Sequence, residues 1–210
     1  MTQFLRRYTD IPALIYLLRQ QKITLLDPRT WDDKNDTHYL SLYKRRKSLK
    51  SVLCLCFTEA PETFHHWRVY ANGSSGVCIR FDRAKLIKAL AKHDLRPKPV
   101  RYLTMVNMRK RSLRSSLRLE ELPFLKRVGY IDESEVRVVY ESRSIKKTSI
   151  DVAIPLSCID RIILSPSIHL ALKREIKKMI NGIDQCKTLE VVRSTLISNK
   201  EWKNHGEKAS

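Results

Sequence analysis

An α+β fold with a mainly antiparallel sheet core flanked by helices is the class this sequence predicts. Many short apolar strands run through the middle of the chain, and the helices gather early and late. The composition fits a packed domain: 42% hydrophobic and 30% charged residues in a chain of 210, with 5 glycines and 8 prolines. That excludes disordered, collagen-like and low-complexity architectures. One globular domain is expected over residues 1–198, with a polar, frayed tail at 199–210.

The elements follow in order. Residues 11–21 place Ile11, Leu14, Ile15, Leu17 and Leu18 at helical spacing, with Thr9 or Asp10 as N-cap and Pro12 in the first turn. Residues 23–26 read as a short strand, and 31–38, opening Trp31-Asp32-Asp33-Lys34-Asn35-Asp36, as an acidic loop. Residues 39–50 form a helix carrying Lys44-Arg45-Arg46-Lys47. The run 51–57 is apolar almost throughout, as a buried strand should be. A helix over 61–71 holds His65, His66, Trp67 and Tyr70, and the glycine-bearing stretch 72–76 turns the chain. Residues 77–81 alternate as a strand, after which Asp82 caps a helix to His93.

A short strand near 97–102 precedes the most basic stretch, read as a helix charged on one side. It contains Arg101, Arg109, Lys110, Arg111, Arg114, Arg118, Lys126 and Arg127 against Glu120 and Glu121. Strands are expected at 135–141, 150–155 and 159–164, then an amphipathic helix over 167–181 ending at Gly182, and a last strand within 189–197.

Charge points to partners. Lys and Arg number 41 against 22 Asp and Glu, a formal net charge of +19, which attracts polyanions, nucleic acid ahead of anionic membrane. No run approaches a spanning helix and no secretory h-region opens the chain, so a cytoplasmic protein with reduced thiols is expected.

Several constellations are candidates for chemistry. Cys54, Cys56 and Cys78 with His65 and His66 offer ligand types for zinc, but thiols among Leu and Phe are ordinary packing, so no metal site is expected. A Cys56–His nucleophile has nothing nearby to lower the thiol pKa. No glycine-rich phosphate loop occurs. Trp67 and Tyr70 share a helical face and serve either as core or as the wall of a pocket for a planar ring. Glu133 and Glu135, one residue apart in extended backbone, face one way with Arg137. They form either a structural ion pair or a carboxylate that binds a sugar hydroxyl and stabilises a developing positive charge.

Several segments together resemble a bacterial family, the domain-of-unknown-function 2971 family. They are Leu5-Arg6-Arg7-Tyr8-Thr9, the Trp31 to Asp36 loop, Cys56-Phe57-Thr58-Glu59, Trp67-Arg68-Val69-Tyr70-Ala71, Gly76-Val77-Cys78-Ile79-Arg80-Phe81-Asp82 and Glu133-Ser134-Glu135-Val136-Arg137. The loop lacks the family's proline and aromatic after the Asp, and Val69 stands where a polar residue is commoner. The layout is similar to that of ADP-ribosyltransferases, including DNA-modifying toxins of toxin–antitoxin systems.

That resemblance implies an ADP-ribosyltransferase-like fold and an NAD-dependent enzyme, toxin or defence related, acting on nucleic acid or a nucleic-acid-associated target. It implies that Arg7 holds the NAD phosphates or ribose, that Tyr8 or Tyr70 stacks on nicotinamide with Trp67, and that Glu135 is the catalytic carboxylate with Glu133 assisting. An antitoxin or operon partner would accompany such an enzyme. Two other readings stay open. One is a non-enzymatic nucleic-acid-binding module using residues 44–50 and Arg109, Lys110, Arg111 and Arg114, whose bland counterpart is a solvated helix face. The other is a hydrolase or nuclease holding Mg²⁺ on Asp32, Asp33, Asp36, Glu133 and Glu135.

Overall fold

The computed structural model describes residues 2–71, 73–114 and 117–208, with side chains for all of these except 112–114. In chain order the elements are β1 (Phe4–Asp10), α1 (Ile11–Gln20), β2 (Lys22–Leu26), α2 (Lys34–Arg46), β3 (Ser51–Thr58), α3 (Phe64–Tyr70), β4 (Gly76–Asp82) and α4 (Arg83–Ala91). Then come β5 (Lys98–Pro99), β6 (Arg101–Leu103), α5 (Met105–Arg114), β7 (Leu125–Arg127), β8 (Glu135–Ser142), β9 (Ser149–Ala153), β10 (Ile159–Leu164), α6 (Leu170–Asn181), β11 (Glu190–Arg193) and α7 (Lys200–Glu207). The fold is α+β with a mainly antiparallel sheet.

Short polar side chains start the helices. Asp10 accepts from the Ala13 amide at 2.9 Å, Asp82 from Lys85 at 3.0 Å, and Asp33 from Asn35 and Asp36 at 2.9 and 3.3 Å. Each satisfies amides that a helix N-terminus leaves without intrahelical acceptors. The Asp33 cap corrects the expected loop over 31–38: its acidic residues open α2, five residues before the expected start. The basic stretch also divides. After α5 a 3₁₀ turn, Leu119–Phe124, leads into β7, which pairs in parallel with β6. The expected frayed tail is largely α7, capped by Asn199, with Trp202 exposed.

The nine-stranded sheet runs β11-β10-β4-β1-β3-β2-β9, with β8 on β3 and β5 on β8. Its centre is split. The β3–β8 pairing holds over eight residues, Ser51↔Ser142 to Thr58↔Glu135. By contrast β1 meets β3 only at Arg6↔Thr58, and β2 meets it only at Leu26↔Cys54. Beyond Arg6 the β1 strand therefore leaves β3 and stays with β4.

Alternation along these strands makes two packed faces. Leu53, Leu55, Phe57, Ile79, Phe81, Val136 and Val138 join Leu14 and Leu18 of α1 and Leu86 and Leu90 of α4 in the main core. Each such side chain contributes on the order of 1.5–3 kcal/mol by leaving water. On the other face α2 lays Leu40 and Tyr43 on Val52 and Cys54, while α3 lays Trp67 and Ala71 on Cys78 and Ile163. The site is built on this second face.

Gly76 permits the α3–β4 approach: a Cβ there would sit 2.7 Å from the Ala71 Cβ and 3.2 Å from its carbonyl carbon. Gly76→Ala should lower stability in urea denaturation by about 1–3 kcal/mol, the usual cost of overpacking. Gly129→Ala, whose Cβ would meet nothing within 4 Å, should be neutral.

Candidate active site

β8 brings the acidic pair to the second face. Glu135 is its first residue and Arg137 follows on the same side, opposite Cys56. Glu133 is not in the strand, as the spacing had suggested. It ends a 3₁₀ turn, and Ser134, at φ +42°, turns the chain into β8. Both carboxylates nevertheless meet at one cation, because Lys126 of β7 donates to Glu133 Oε2 at 2.5 Å and to Glu135 Oε2 at 3.2 Å.

Arg137 is completely buried. Its five N–H donors are all engaged. Nε and Nη2 reach Glu135 at 2.7 and 2.9 Å, Nη1 and Nη2 reach Asp36 at 2.8 and 2.6 Å, and Nη1 also reaches the Pro123 carbonyl at 2.8 Å. The Trp31 ring covers it, 5.1 Å from Cζ to centroid. A dehydrated guanidinium tolerates burial only when every donor is satisfied.

Three buried carboxylates, Asp36, Glu133 and Glu135, thus face two cations, Lys126 and Arg137, and one negative charge is left over. The two glutamates respond oppositely. Burial alone would raise Glu135, but the charge and hydrogen bonds of Arg137, then Lys126 and the Cys56 thiol, hold it down to about 2. Burial raises Glu133, and Lys126 and Tyr70 only partly offset it. Glu135 accepts from four donors and so uses the lone-pair capacity of a carboxylate, whereas Glu133 accepts from two, Tyr70 and Lys126. Glu133 is the member with room to accept another hydrogen bond. Cys56 stays a thiol, since burial and then the Glu135 charge push it well up.

An aromatic wall continues from Glu133. The Tyr70 hydroxyl donates to Glu133 Oε1. Tyr70 lies 6.0 Å from the His66 ring, His66 stacks on Tyr8 at 5.2 Å and 22°, and Trp67 meets Tyr8 edge-on at 5.2 Å. Trp67 is anchored through Nε1 to Glu62 at 2.7 Å and is buried, whereas Tyr70 is 40% exposed. The Tyr8 hydroxyl is buried without an oxygen or nitrogen partner and faces the Cys78 thiol. Burial lowers the His66 pKa, keeping it a neutral ring.

The structure therefore brings Tyr8, Trp67, Tyr70, Glu133 and Glu135 into one connected cluster. Arg7 stands apart from the rings: it lies opposite Ile79, and alternation turns it away from Tyr8. Burial lowers its pKa, the groups nearest its charge being Cys56 and Asp10, and it has no ion pair among the described residues. Arg6 is the cation on the Tyr8 side, donating to the Ala60 carbonyl at 2.8 Å. Period-two alternation would have found Arg6. Asp36, grouped with Glu133 and Glu135 only as a candidate Mg²⁺ ligand, instead pairs with Arg137, and nothing local could have found Lys126, which reaches the site through tertiary packing alone.

The expected nucleic-acid residues lie elsewhere, on α5. Arg109 and Lys110 are exposed, Arg111 is held by Glu121 at 2.6 Å, and the Arg114 side chain lies outside the described residues. The carboxylates considered for Mg²⁺ separate: Asp32 is exposed, Asp33 caps α2, and the other three close on Lys126 and Arg137. Among the described residues no group of three or more His, Cys, Asp or Glu is arranged to hold a metal, and no helix is long and apolar enough to cross a membrane.

Residues 66–138 match the model of a family described as "Protein of unknown function (DUF2971)". That stretch contains the Trp67 to Ala71, Gly76 to Asp82 and Glu133 to Arg137 segments and begins after the earlier ones. Across nearly its whole length the chain is also similar to solved structures of DarT from Thermus sp. 2.9. The complex with carba-NAD⁺ is 12% identical, with 95% of this chain and 97% of that chain covered and a TM-score of 0.44. The complex with ADP-ribosylated ssDNA gives 12%, 95%, 95% and 0.45, and the complex with NAD⁺ gives 12%, 95%, 96% and 0.44. No curated protein matches the chain.

Arg137→Ala would leave Asp36 and Glu135 buried without their partner. It should cost about 3–5 kcal/mol in denaturant unfolding, the usual penalty for breaking a buried pair. Glu135 adds a pH signature. Its folded pKa of about 2 lies below the ordinary 4.5, so its stabilisation is complete above pH 4.5 and is lost as pH falls toward 2. Glu133, with a raised folded pKa, has the opposite sign and weakens stability as pH rises past 4.5. The pH dependence of urea unfolding between about pH 2 and 4.5 should lose much of its slope in Glu135→Gln.

Proposed function

We propose that this chain is an NAD-dependent ADP-ribosyltransferase acting on a nucleic acid or a nucleic-acid-bound target, with a toxin or defence role in the bacterial cytoplasm. The observation that carries the reading is the unbalanced carboxylate cluster: one buried negative charge in excess, set against the Tyr70–His66–Tyr8–Trp67 rings. A dehydrated site of that sign prefers a ligand that is, or becomes, positively charged. NAD⁺ and ADP-ribosylated ssDNA are what the Thermus DarT structures hold; for this chain the support comes from its own side chains.

The residues fit such a dinucleotide. The exposed Tyr70 ring offers a stacking face, and Arg6, on the Tyr8 side of β1, is a cation suited to a phosphate. NAD supplies a glycosidic bond whose cleavage moves positive charge from the nicotinamide ring onto ribose.

Opposed pKa shifts divide the work between the glutamates. Glu135 stays ionised and supplies fixed negative charge near the developing cation. Glu133 has unused lone pairs and a raised pKa, so it binds a ribose hydroxyl and takes the proton that the acceptor gives up. Tyr70 and Lys126 orient Glu133, and Arg6, on the Tyr8 side of β1, faces the diphosphate. The alternative, a non-enzymatic nucleic-acid-binding module, draws on exposed Arg109 and Lys110. NAD should raise the melting temperature only under the first reading.

The deciding assay is nicotinamide release with single- and double-stranded nucleic acids as acceptors. Glu133→Gln should cut release by roughly 10²-fold or more, the scale of losing a positioned proton acceptor, with the fold retained by circular dichroism. Equal background release from wild type, Glu133→Gln and Glu135→Ala with every acceptor would end the enzymatic reading.

A further inference from the structure

A second charge cluster lies outside the carboxylate site and has the opposite sign. Glu121, in the 3₁₀ turn after α5, is buried, and its Oε1 collects three arginines from three places in the chain. Arg101 of β6 donates Nη2 at 2.5 Å, Arg111 of α5 donates Nη2 at 2.6 Å, and the Arg118 Nη2 lies at 3.6 Å. The Arg118 amide adds a bond to Oε2 at 3.2 Å. The arginines hold Glu121 down to about 2, against the raising effect of burial, so it stays ionised.

One carboxylate neutralises one guanidinium. Two positive charges are therefore left at a point where three cations repel each other. A structural role for Glu121 would be met by Arg111 alone. The others are solvent-facing, with side chains 50% exposed at Arg101 and 79% at Arg118, and each has further N–H donors with no partner among the described residues. Exposed Glu120 is the neighbouring carboxylate and makes no ion pair among the described residues. Guanidinium donors held in a fixed fork match the geometry of phosphate oxygens.

The cluster is also tied to the candidate active site. Arg101 adjoins Tyr102, whose hydroxyl accepts from the Glu135 amide at 2.8 Å. Glu121 lies two residues before Pro123, whose carbonyl holds Arg137.

We infer that Arg101, Arg111 and Arg118, gathered by Glu121, form a clamp for the phosphodiester backbone of a nucleic acid. Glu121 is a positioning residue in this clamp. The inference builds on the nucleic-acid acceptor of the proposed function, but its test needs no NAD, so the two fail separately.

The test is fluorescence anisotropy of a short labelled DNA strand at several salt concentrations, beside the same strand with a neutral methylphosphonate backbone. Arg101→Gln/Arg118→Gln should weaken binding and reduce the slope of log K against log salt by roughly 1.4, ~0.7 for each single-strand phosphate that is no longer neutralised. Glu121→Gln is the sharper arm. It makes the protein more positive, so unstructured attraction would tighten binding, whereas a clamp that loses its organiser binds more weakly at an unchanged melting temperature. If Glu121→Gln unfolds the protein, the double arginine variant decides alone. Tighter binding by folded Glu121→Gln, equal affinity for the neutral backbone, or an unchanged salt slope in the double variant would overturn the clamp.

Discussion

Arg137 is the group on which the rest of this structure depends. Its guanidinium has left water entirely, and its five donors are matched by Asp36 from α2, Glu135 from β8 and the Pro123 carbonyl from the turn after α5, with Trp31 across its face. None of these groups is near Arg137 in sequence except Glu135. The helix, the strand and the turn must all be placed before the charge can be buried, and once it is buried none can move without leaving a donor empty. The second face of the sheet is organised around that requirement.

The same fork makes a functional site possible. Because it saturates Glu135, it leaves Glu133 as the carboxylate able to meet something new. Because three carboxylates share two cations, the cluster carries one negative charge that Lys126 and Arg137 do not cancel. The separation of β1 from β3 beyond Arg6 then sets cationic Arg6 and Arg7 on a strand beside, but not within, the carboxylate cluster. Positive groups at one edge and negative groups at the centre are the polarity expected for a ligand with anionic phosphates at one end and a cationic ring at the other. The Glu121 cluster repeats the device with signs reversed, one buried anion holding several cations in place.

Much of the sheet was legible locally. The apolar run of β3, the alternation of β4 and the Glu135 start of β8 all sit where periodicity put them. Caps were legible too at α1 and α4. The chain misled where a residue type has two uses. Asp32, Asp33 and Asp36 resemble solvated loop residues, yet Asp33 is a helix cap and Asp36 is buried at 1% exposure. Glu133 looked like a strand residue because spacing cannot show the left-handed turn at Ser134. The pairing of Asp36 with Arg137 spans about a hundred positions, and no pattern within a window of one helix or strand encodes it. The β6–β7 ribbon was hidden for the same reason, and with it Lys126.

Glu133 and Glu135 share Lys126 yet behave as different acids. Carbon-detected NMR titration of their side-chain carboxyls measures this directly, with assignments from Glu133→Gln and Glu135→Gln. Glu135 should titrate near 2 and Glu133 above 4.5, and added NAD should shift the Glu133 signal far more than that of Glu135. Two carboxyls titrating together at 4.5, with neither responding to NAD, would contradict it.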